Sequence, residues 1–225
     1  MKDIIGKIRM VLIILKRIYK IGVRGLKPFD SERYWKRRYA RGKSSGAGSY
    51  NELAEFKANV LNDFVRENDI QTVIEYGCGD GNQLRFAVYP TYTGFDVSSV
   101  AIARCNMIFS HDKTKNFKLM EEYAGEVAQL TLSLDVIYHL IEDDVFIEYM
   151  ERLFSSSNRF VIVYSSNTDD NRDNRARHVR HRKFSEWVER AQPQWRLIRY
   201  IKNKYPFEGD NRKGSMSDFF IYERV

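Results

Sequence analysis

Residues 73–81 read Val73-Ile74-Glu75-Tyr76-Gly77-Cys78-Gly79-Asp80-Gly81. The apolar, β-branched start predicts a buried strand over Thr72 to Tyr76. Three glycines within five residues then let a strand reverse directly into a helix, with no side chains between the backbone and a ligand. The amino end of a following helix, expected over Asn82 to Val88, favours a negative group such as a carboxylate. Asp96 stands 15 residues beyond Gly81 and closes the next apolar run, Tyr92-Thr93-Gly94-Phe95-Asp96-Val97. An acid at the carboxyl end of that strand can accept hydrogen bonds from both hydroxyls of a ribose.

Working outward, Ser49-x-x-Glu52 reads as a capping box opening a helix with Leu53, Phe56, Val60, Leu61, Phe64 and Val65 on its apolar face, ending near Asn68. Further strands are expected over Thr91 to Val97, Phe117 to Met120, Leu130 to Val136, Arg159 to Tyr164, Trp195 to Lys202 and Asp218 to Arg224. Helices are expected from Ser98 or Ser99 through Cys105, over Asp143 to Phe154 and over Phe184 to Ala191. Strands alternating with helices imply an α/β chain: a doubly wound, mostly parallel seven-stranded sheet covered on both faces.

A dinucleotide-binding turn requires G-x-G-x-x-G, and Asn82 stands where the third glycine belongs. The order here is acid-x-Gly-x-Gly-x-Gly. With Asp96 after the second strand, and Leu132-Ser133-Leu134-Asp135-Val136-Ile137-Tyr138-His139-Leu140 at the fourth, residues 49 to 165 resemble the class I, Rossmann-like methyltransferases that use S-adenosylmethionine. The resemblance implies that Glu75, Gly77, Cys78, Gly79 and Gly81 form the loop around the cofactor's methionine part. It implies that Asp96 takes the ribose with Val97 beside it, that Glu122 lies near the adenine with Glu121 competing for that role, and that Ser133 and Leu134 flank the methionine part. Members often carry an acid at the start of the fourth strand, where this chain has Gln129; that departure touches the strand's start more than the site. Asp96 could alternatively cap the turn at Ser98-Ser99. Cys78 reads as a small loop residue, since no basic sequence neighbour would lower its pKa. Cys105 reads as a buried helix residue.

A sulfonium methyl is already electrophilic, so a methyltransferase must align its acceptor and, for a hydroxyl, remove a proton. Asp135, Tyr138 and His139 cluster at the end of the fourth strand and are the candidate catalytic residues. His139 has a suitable unperturbed pKa for a base; a packing or capping role is the alternative, and capping the adjacent turn is the alternative for Asp135. The polar stretch Thr168 to Lys183 could be a lid holding an anionic acceptor through its arginines, or a solvated loop. His178 and His181 lack a further His or Cys, so no metal is expected. His178-x-x-His181-Arg182-Lys183-Phe184, with Trp187 and Tyr205-Pro206, is similar to a methyltransferase subgroup associated with bacterial surface polysaccharides. That similarity implies a sugar, glycan or lipid-linked glycan oxygen as acceptor.

The net charge of +7 is unevenly spread. Residues 1–43 carry 14 Lys+Arg against 3 Asp+Glu, and the rest of the chain carries 23 against 27. The chain therefore reads as a basic arm, residues 1–48, ahead of a mildly acidic domain, residues 49–225. Ile4, Ile8, Leu12, Leu15, Ile18 and Tyr19 fall near one helical stripe. The longest charge-free run there, Met10 to Leu15, is too short to span a bilayer, which needs about 20 apolar residues. An amphipathic basic helix on an anionic membrane surface fits, as does docking on the chain's own body or on a partner. Tyr34-Trp35-Lys36-Arg37-Arg38-Tyr39-Ala40-Arg41-Gly42-Lys43 could hold nucleic acid by phosphate contact and stacking, or be a helix whose aromatics pack on the body. A non-catalytic module tethering a partner to membrane is a further alternative. With 43% apolar residues, four prolines and two cysteines, the chain is neither disordered nor a disulfide scaffold. Cysteine usage suggests a reducing compartment and a cytoplasmic protein, peripheral on the inner membrane face.

Overall fold

A computed structural model describes residues 29–172, 174 and 176–225. The expected amphipathic helix over Ile4 to Val23 lies outside the described residues. The elements are α1 (Ser31–Ala40), α2 (Asn51–Glu67), β1 (Thr72–Tyr76), β2 (Thr91–Asp96), α3 (Ser99–Ile108), β3 (Lys115–Leu119), β4 (Ala128–Leu134), α4 (Asp143–Ser155), β5 (Ser157–Ser165), α5 (Phe184–Ala191), β6 (Trp195–Ile201) and β7 (Asp218–Arg224). They build one seven-stranded sheet in the order β3-β2-β1-β4-β5-β7-β6. All pairings are parallel except those of β7, which runs antiparallel to both β5 and β6.

The central strands β1, β4 and β5 bury both faces, as near-continuous apolar runs require. Val73, Leu130, Leu132, Phe160 and Ile162 join Leu61, Phe64 and Val65 of α2 and Cys105 of α3 in one core layer. The intervening residues Ile74, Tyr76, Val161 and Val163 join Phe146, Met150 and Leu153 of α4 and Val188 of α5 in the other. The strand order reverses between β1 and β4, which is where open α/β sheets bind ligands, beyond the carboxyl ends of the strands. Tyr76 pairs with Phe95 and Glu75 with Leu132, so β1 ends level with its two neighbours and the crevice has an even floor.

Two local expectations fail for identifiable reasons. Ser49 does not cap α2: the N-cap is Tyr50, with no side-chain bond. The chain reaches α2 through a 3-10 turn, Ala47–Ser49, and a φ of 51° at Asn51, while the Ser49 carbonyl accepts from Asn82 Nδ2 at 2.7 Å. The helix expected over Asn82 to Val88 is a single 3-10 turn, Gln83–Phe86. Asn62 of α2 intercepts the backbone there, donating to the Phe86 carbonyl and accepting from Val88 N, both at 2.8 Å. So short a turn carries little of the dipole that a full helix would aim at a ligand. Gln129 behaves as a strand-start residue: its side-chain oxygen accepts from Gln71 N at 2.6 Å. No helix among the described residues is long and apolar enough to cross a membrane.

Candidate active site

A cavity of about 880 Å³ opens above the switch point. Its floor is the glycine turn. Gly77 and Gly79 take φ of 86° and 60°, which L side chains rarely adopt. A Cβ on Gly77 would stand 2.6 Å from Val136 Cγ2, and one on Gly79 would collide with Ser45 Oγ. The turn is tied to β2: Gly77 N and Cys78 N both donate to the Phe95 carbonyl, and Gly79 N donates to Asp96 Oδ2 at 3.0 Å. Asp96 Oδ1 accepts from Ser98 N at 2.8 Å. The N-cap of α3 is Ser98 itself, and Asp96 both bonds the Ser98 amide ahead of that helix and lines the cavity. Burial raises the Asp96 carboxyl to about 6, against the lowering pull of the Ser98 and Gly79 amides. Glu75, also buried in the cavity wall, accepts from Tyr92 OH at 2.7 Å, and burial raises it to about 7.

Of the residues expected around the cofactor, Glu75, Gly77, Cys78, Gly79, Asp96, Val97 and Leu134 line the cavity. Gly81, Glu122 and Ser133 do not. Gly81 faces α3, where a Cβ would stand 3.0 Å from Cys105 Sγ. Glu122 turns its carboxylate onto Leu119 N, at 2.6 Å, and holds the 3-10 turn after β3. Ser133 is fully buried and accepts from Tyr149 OH at 2.8 Å. Met120 and Tyr149 reach the cavity instead. Cys78 and Cys105 are both buried and free, and Cys105 Sγ donates to the Gly79 carbonyl at 3.3 Å.

The three candidate catalytic residues share one wall. Asp135 has a φ of 58°, and its carboxylate receives Lys57 Nζ at 2.7 Å, Ser217 Oγ at 2.9 Å and Tyr138 OH at 3.0 Å. Three donors, one of them a buried ammonium, bind its carboxylate, so Asp135 holds the turn together. Burial, then the Asp135 charge, push the Tyr138 hydroxyl far above its ordinary value, so it stays a donor. His139 sits with Nδ1 2.8 Å from the His178 carbonyl oxygen. A carbonyl only accepts, so the proton sits on Nδ1 and Nε2 keeps its lone pair. Burial lowers His139 to about 4, and the imidazole stays neutral near pH 7. Its ring is held edge-on by Trp35 at 4.8 Å and stacked on His178 at 5.4 Å.

The other side of the cavity comes from α1 and the segment after it, which composition alone places in the basic arm. Asp30 caps α1, accepting from Arg33 N at 2.7 Å. Ser31 N and Oγ donate to Glu142, and Ser31 Oγ accepts from Ile141 N at 3.0 Å. At the far end, Ser45 N donates to Asp80 Oδ2 at 2.9 Å and Ser45 Oγ accepts from Asp80 N at 3.0 Å. Tyr39 OH meets Ser45 Oγ at 3.0 Å. So α1 roofs the crevice, pinned at both ends. Its aromatics pack: Tyr39 is buried and Tyr34 stacks on His178 at 4.7 Å.

The loop after β5 contributes Ala176, His178, Val179 and His181 to the cavity, and among the described residues none of its arginines. Arg180 and Arg182 both pair with Asp143 and donate to the Ile141 carbonyl, and Arg182 also donates to Leu140. Arg172 pairs with Asp170 in solvent. His181 Nδ1 meets Ser166 Oγ at 2.6 Å. Among the described residues no group of three or more His, Cys, Asp or Glu is placed to hold a metal.

One further residue escaped the sequence reading. Gln83 lines the cavity, its amide nitrogen donating to the Ala54 carbonyl at 2.9 Å, while its buried Oε1 has no partner. Buried acceptors are seldom left unpaired, so an orphan in a cavity wall is open to a donor from water or ligand. A side-chain-free cradle, a buried carboxylate, an orphan acceptor and apolar Val97, Met120 and Leu134 together suit an amino-acid nucleoside.

A family model described as a methyltransferase domain matches residues 40–201. Among solved structures the chain is similar to the magnesium protoporphyrin IX methyltransferase from Synechocystis with bound SAM, with a TM-score of 0.63 and 11% identity over 89% of this chain and 100% of that one. It is similar to the N-methyltransferase NodS from Bradyrhizobium japonicum in complex with S-adenosyl-l-homocysteine, with a TM-score of 0.68 and 12% identity over 87% and 99%. The methyltransferase domain of bacterial CtHen1 superposes with a TM-score of 0.57 and 18% identity over 76% and 100%. At such identities the likeness is one of fold. No curated protein matches the chain.

Proposed function

We propose, from the premise that the chain belongs to the methyltransferase-domain family and is a class I S-adenosylmethionine-dependent methyltransferase, that its acceptor atom is a hydroxyl oxygen of a sugar or glycan, with His139 as the base. The observation that carries this is the His139 tautomer: the His178 carbonyl fixes the proton on Nδ1, leaving a neutral lone pair at Nε2 of a residue that lines the cavity. A hydroxyl nucleophile needs such a group; an acceptor that is already nucleophilic does not.

The cofactor supplies a methyl group already activated on a sulfonium. The residues that would hold it are Gly77 to Gly79 by close backbone approach, Glu75 and Gln83 at the methionine end, Asp96 at the ribose, and Val97, Met120 and Leu134 around the base. The chain's own work is then to exclude water beneath the α1 roof, to seat the acceptor against Trp35 and Tyr138, and to hold His139 in one orientation. A lipid-linked glycan remains within this class: Phe207 and Met216 line the cavity while exposed to solvent by 44% and 50%, an apolar rim beside a polar interior.

Labelled S-adenosylmethionine incubated with the protein and fractionated cell extract tests the reading. Label should enter carbohydrate as an alkali-stable ether; label confined to RNA or protein would refute it. The location proposed is cytoplasmic, on an anionic membrane face. It is supported by the basic residues 1–43 and by Arg33, Lys36, Arg37 and Arg41 exposed on and beside α1. Flotation with anionic but not neutral liposomes checks it.

A further inference from the structure

Among the described residues three cations other than histidine line the cavity: Lys57, Arg152 and Arg38. Lys57 is paired with Asp135 at 2.7 Å and Arg152 with Glu148 at 2.8 Å. Arg38 alone has no carboxylate within 4.0 Å among the described residues. Its Nε donates to the Ser44 carbonyl at 2.7 Å, and its guanidinium lies 5.4 Å over the Trp35 ring. Those two contacts fix the plane of the group and leave both terminal nitrogens without an acceptor among the described residues. A guanidinium so held is the arrangement that suits a planar or tetrahedral oxyanion, because little side-chain freedom remains to be lost on binding.

Its position is informative. Trp35, on which Arg38 lies, touches the His139 ring edge-on at 4.8 Å. Arg38 and the His139 and His178 imidazoles line the same cavity, with the Trp35 ring in contact with both Arg38 and His139. The acids on the same wall are already engaged: Asp30 by Arg33, Glu32 by Lys36 and Glu142 by Ser31. The loop arginines Arg180 and Arg182, which sequence suggests for this task, are consumed by Asp143 and by backbone carbonyls. We propose that the acceptor is anionic: Arg38 receives a carboxylate or phosphate of the acceptor while His139 faces a hydroxyl of the same molecule. This rests on the hydroxyl reading above and narrows it to acidic sugars and sugar phosphates.

Two measurements on the full chain test it. In calorimetry on protein saturated with S-adenosylhomocysteine, D-glucuronate should bind at least about tenfold more tightly than D-glucose, the difference expected for a hydrogen-bonded charge. R38Q should abolish that preference while still binding S-adenosylhomocysteine, and R38K should keep part of it. If R38Q loses the cofactor product, R38K decides: an undiminished preference there counts against a fork-shaped anion clamp. Equal or undetectable binding of both sugars to the wild type overturns the proposal. In the second measurement, product labelled from S-adenosylmethionine and cell extract is run on an anion-exchange column. Retained, alkali-stable label that stays in carbohydrate after RNA and protein are removed supports the proposal. Alkali-stable label in the neutral flow-through overturns it and leaves hydroxyl methylation standing. Label released by mild alkali is a methyl ester and overturns the hydroxyl reading itself.

Discussion

Lys57 Nζ donates to Asp135 Oδ2 at 2.7 Å, joining the middle of α2 to the first residue after β4 across 78 positions of sequence. The lysine side chain is 1% exposed and the aspartate 12%. The pair holds a turn with a left-handed residue in it, and that turn carries Val136 over Gly77 and His139 into the cavity. Lys57→Met strands a buried carboxylate and should cost about 3–5 kcal/mol of stability. The double variant K57M/D135N should recover more than half of that loss. Urea denaturation of the four proteins gives the cycle; simple additivity would show that the contact carries no coupling.

Gln83 Oε1 is buried and unpaired. Gln83→Leu keeps the volume and removes the acceptor. S-adenosylhomocysteine affinity should fall about tenfold, the effect of one hydrogen bond to a charged group. Thermal stability without ligand should change little, since loss of the bond to the Ala54 carbonyl offsets removal of the unpaired oxygen. Unchanged affinity in calorimetry would take Gln83 out of the site.

Burial raises Glu75 to about 7 and Asp96 to about 6, from ordinary values of 4.5 and 3.8. The folded state therefore binds more protons than the unfolded chain between those limits. Stability from these two groups is fully present below the unfolded values and is lost as pH rises through about 6 and then about 7. Glu75→Gln should flatten the upper part of that slope. Cofactor affinity should run the other way, weakening as pH falls through about 6, because a protonated Asp96 has lost acceptor capacity for a ribose. Denaturation and calorimetry across this window check both signs; an affinity rising toward acid would be incompatible with Asp96 at the ribose.

His139→Gln should lower turnover by about 10²–10⁴, the usual worth of a general base. Affinity for S-adenosylhomocysteine should be nearly unchanged. Burial holds His139 at about 4, so with cofactor saturating the acid limb of turnover should fall near there and not at the ordinary 6.5. A limb at the ordinary histidine value would point to another base.

Much of this molecule was legible locally. The alternation of apolar runs set out seven strands, and α5 and β7 begin and end where the pattern says. The glycine turn and Asp96 were readable because turn chemistry and strand ends depend on residues a few positions apart. Local reading failed where an unforeseen partner intervened: Asn62 shortens the helix after the glycine turn, Tyr149 engages Ser133, and Glu122 folds back onto the Leu119 backbone amide three residues away.

Residue order and periodicity thus determined the α/β architecture and the loop that suits the cofactor. The tertiary structure alone decided what surrounds the acceptor. Ser31 finds Glu142 at a separation of 111 residues, and that contact turns a basic stretch into a roof bearing Trp35 and Arg38. His178 finds His139 at a separation of 39, and its carbonyl chooses the tautomer. A side chain's period records which way it faces on its own element. It does not record which partner the fold brings opposite, and burial, charge pairing and proton position all depend on that partner.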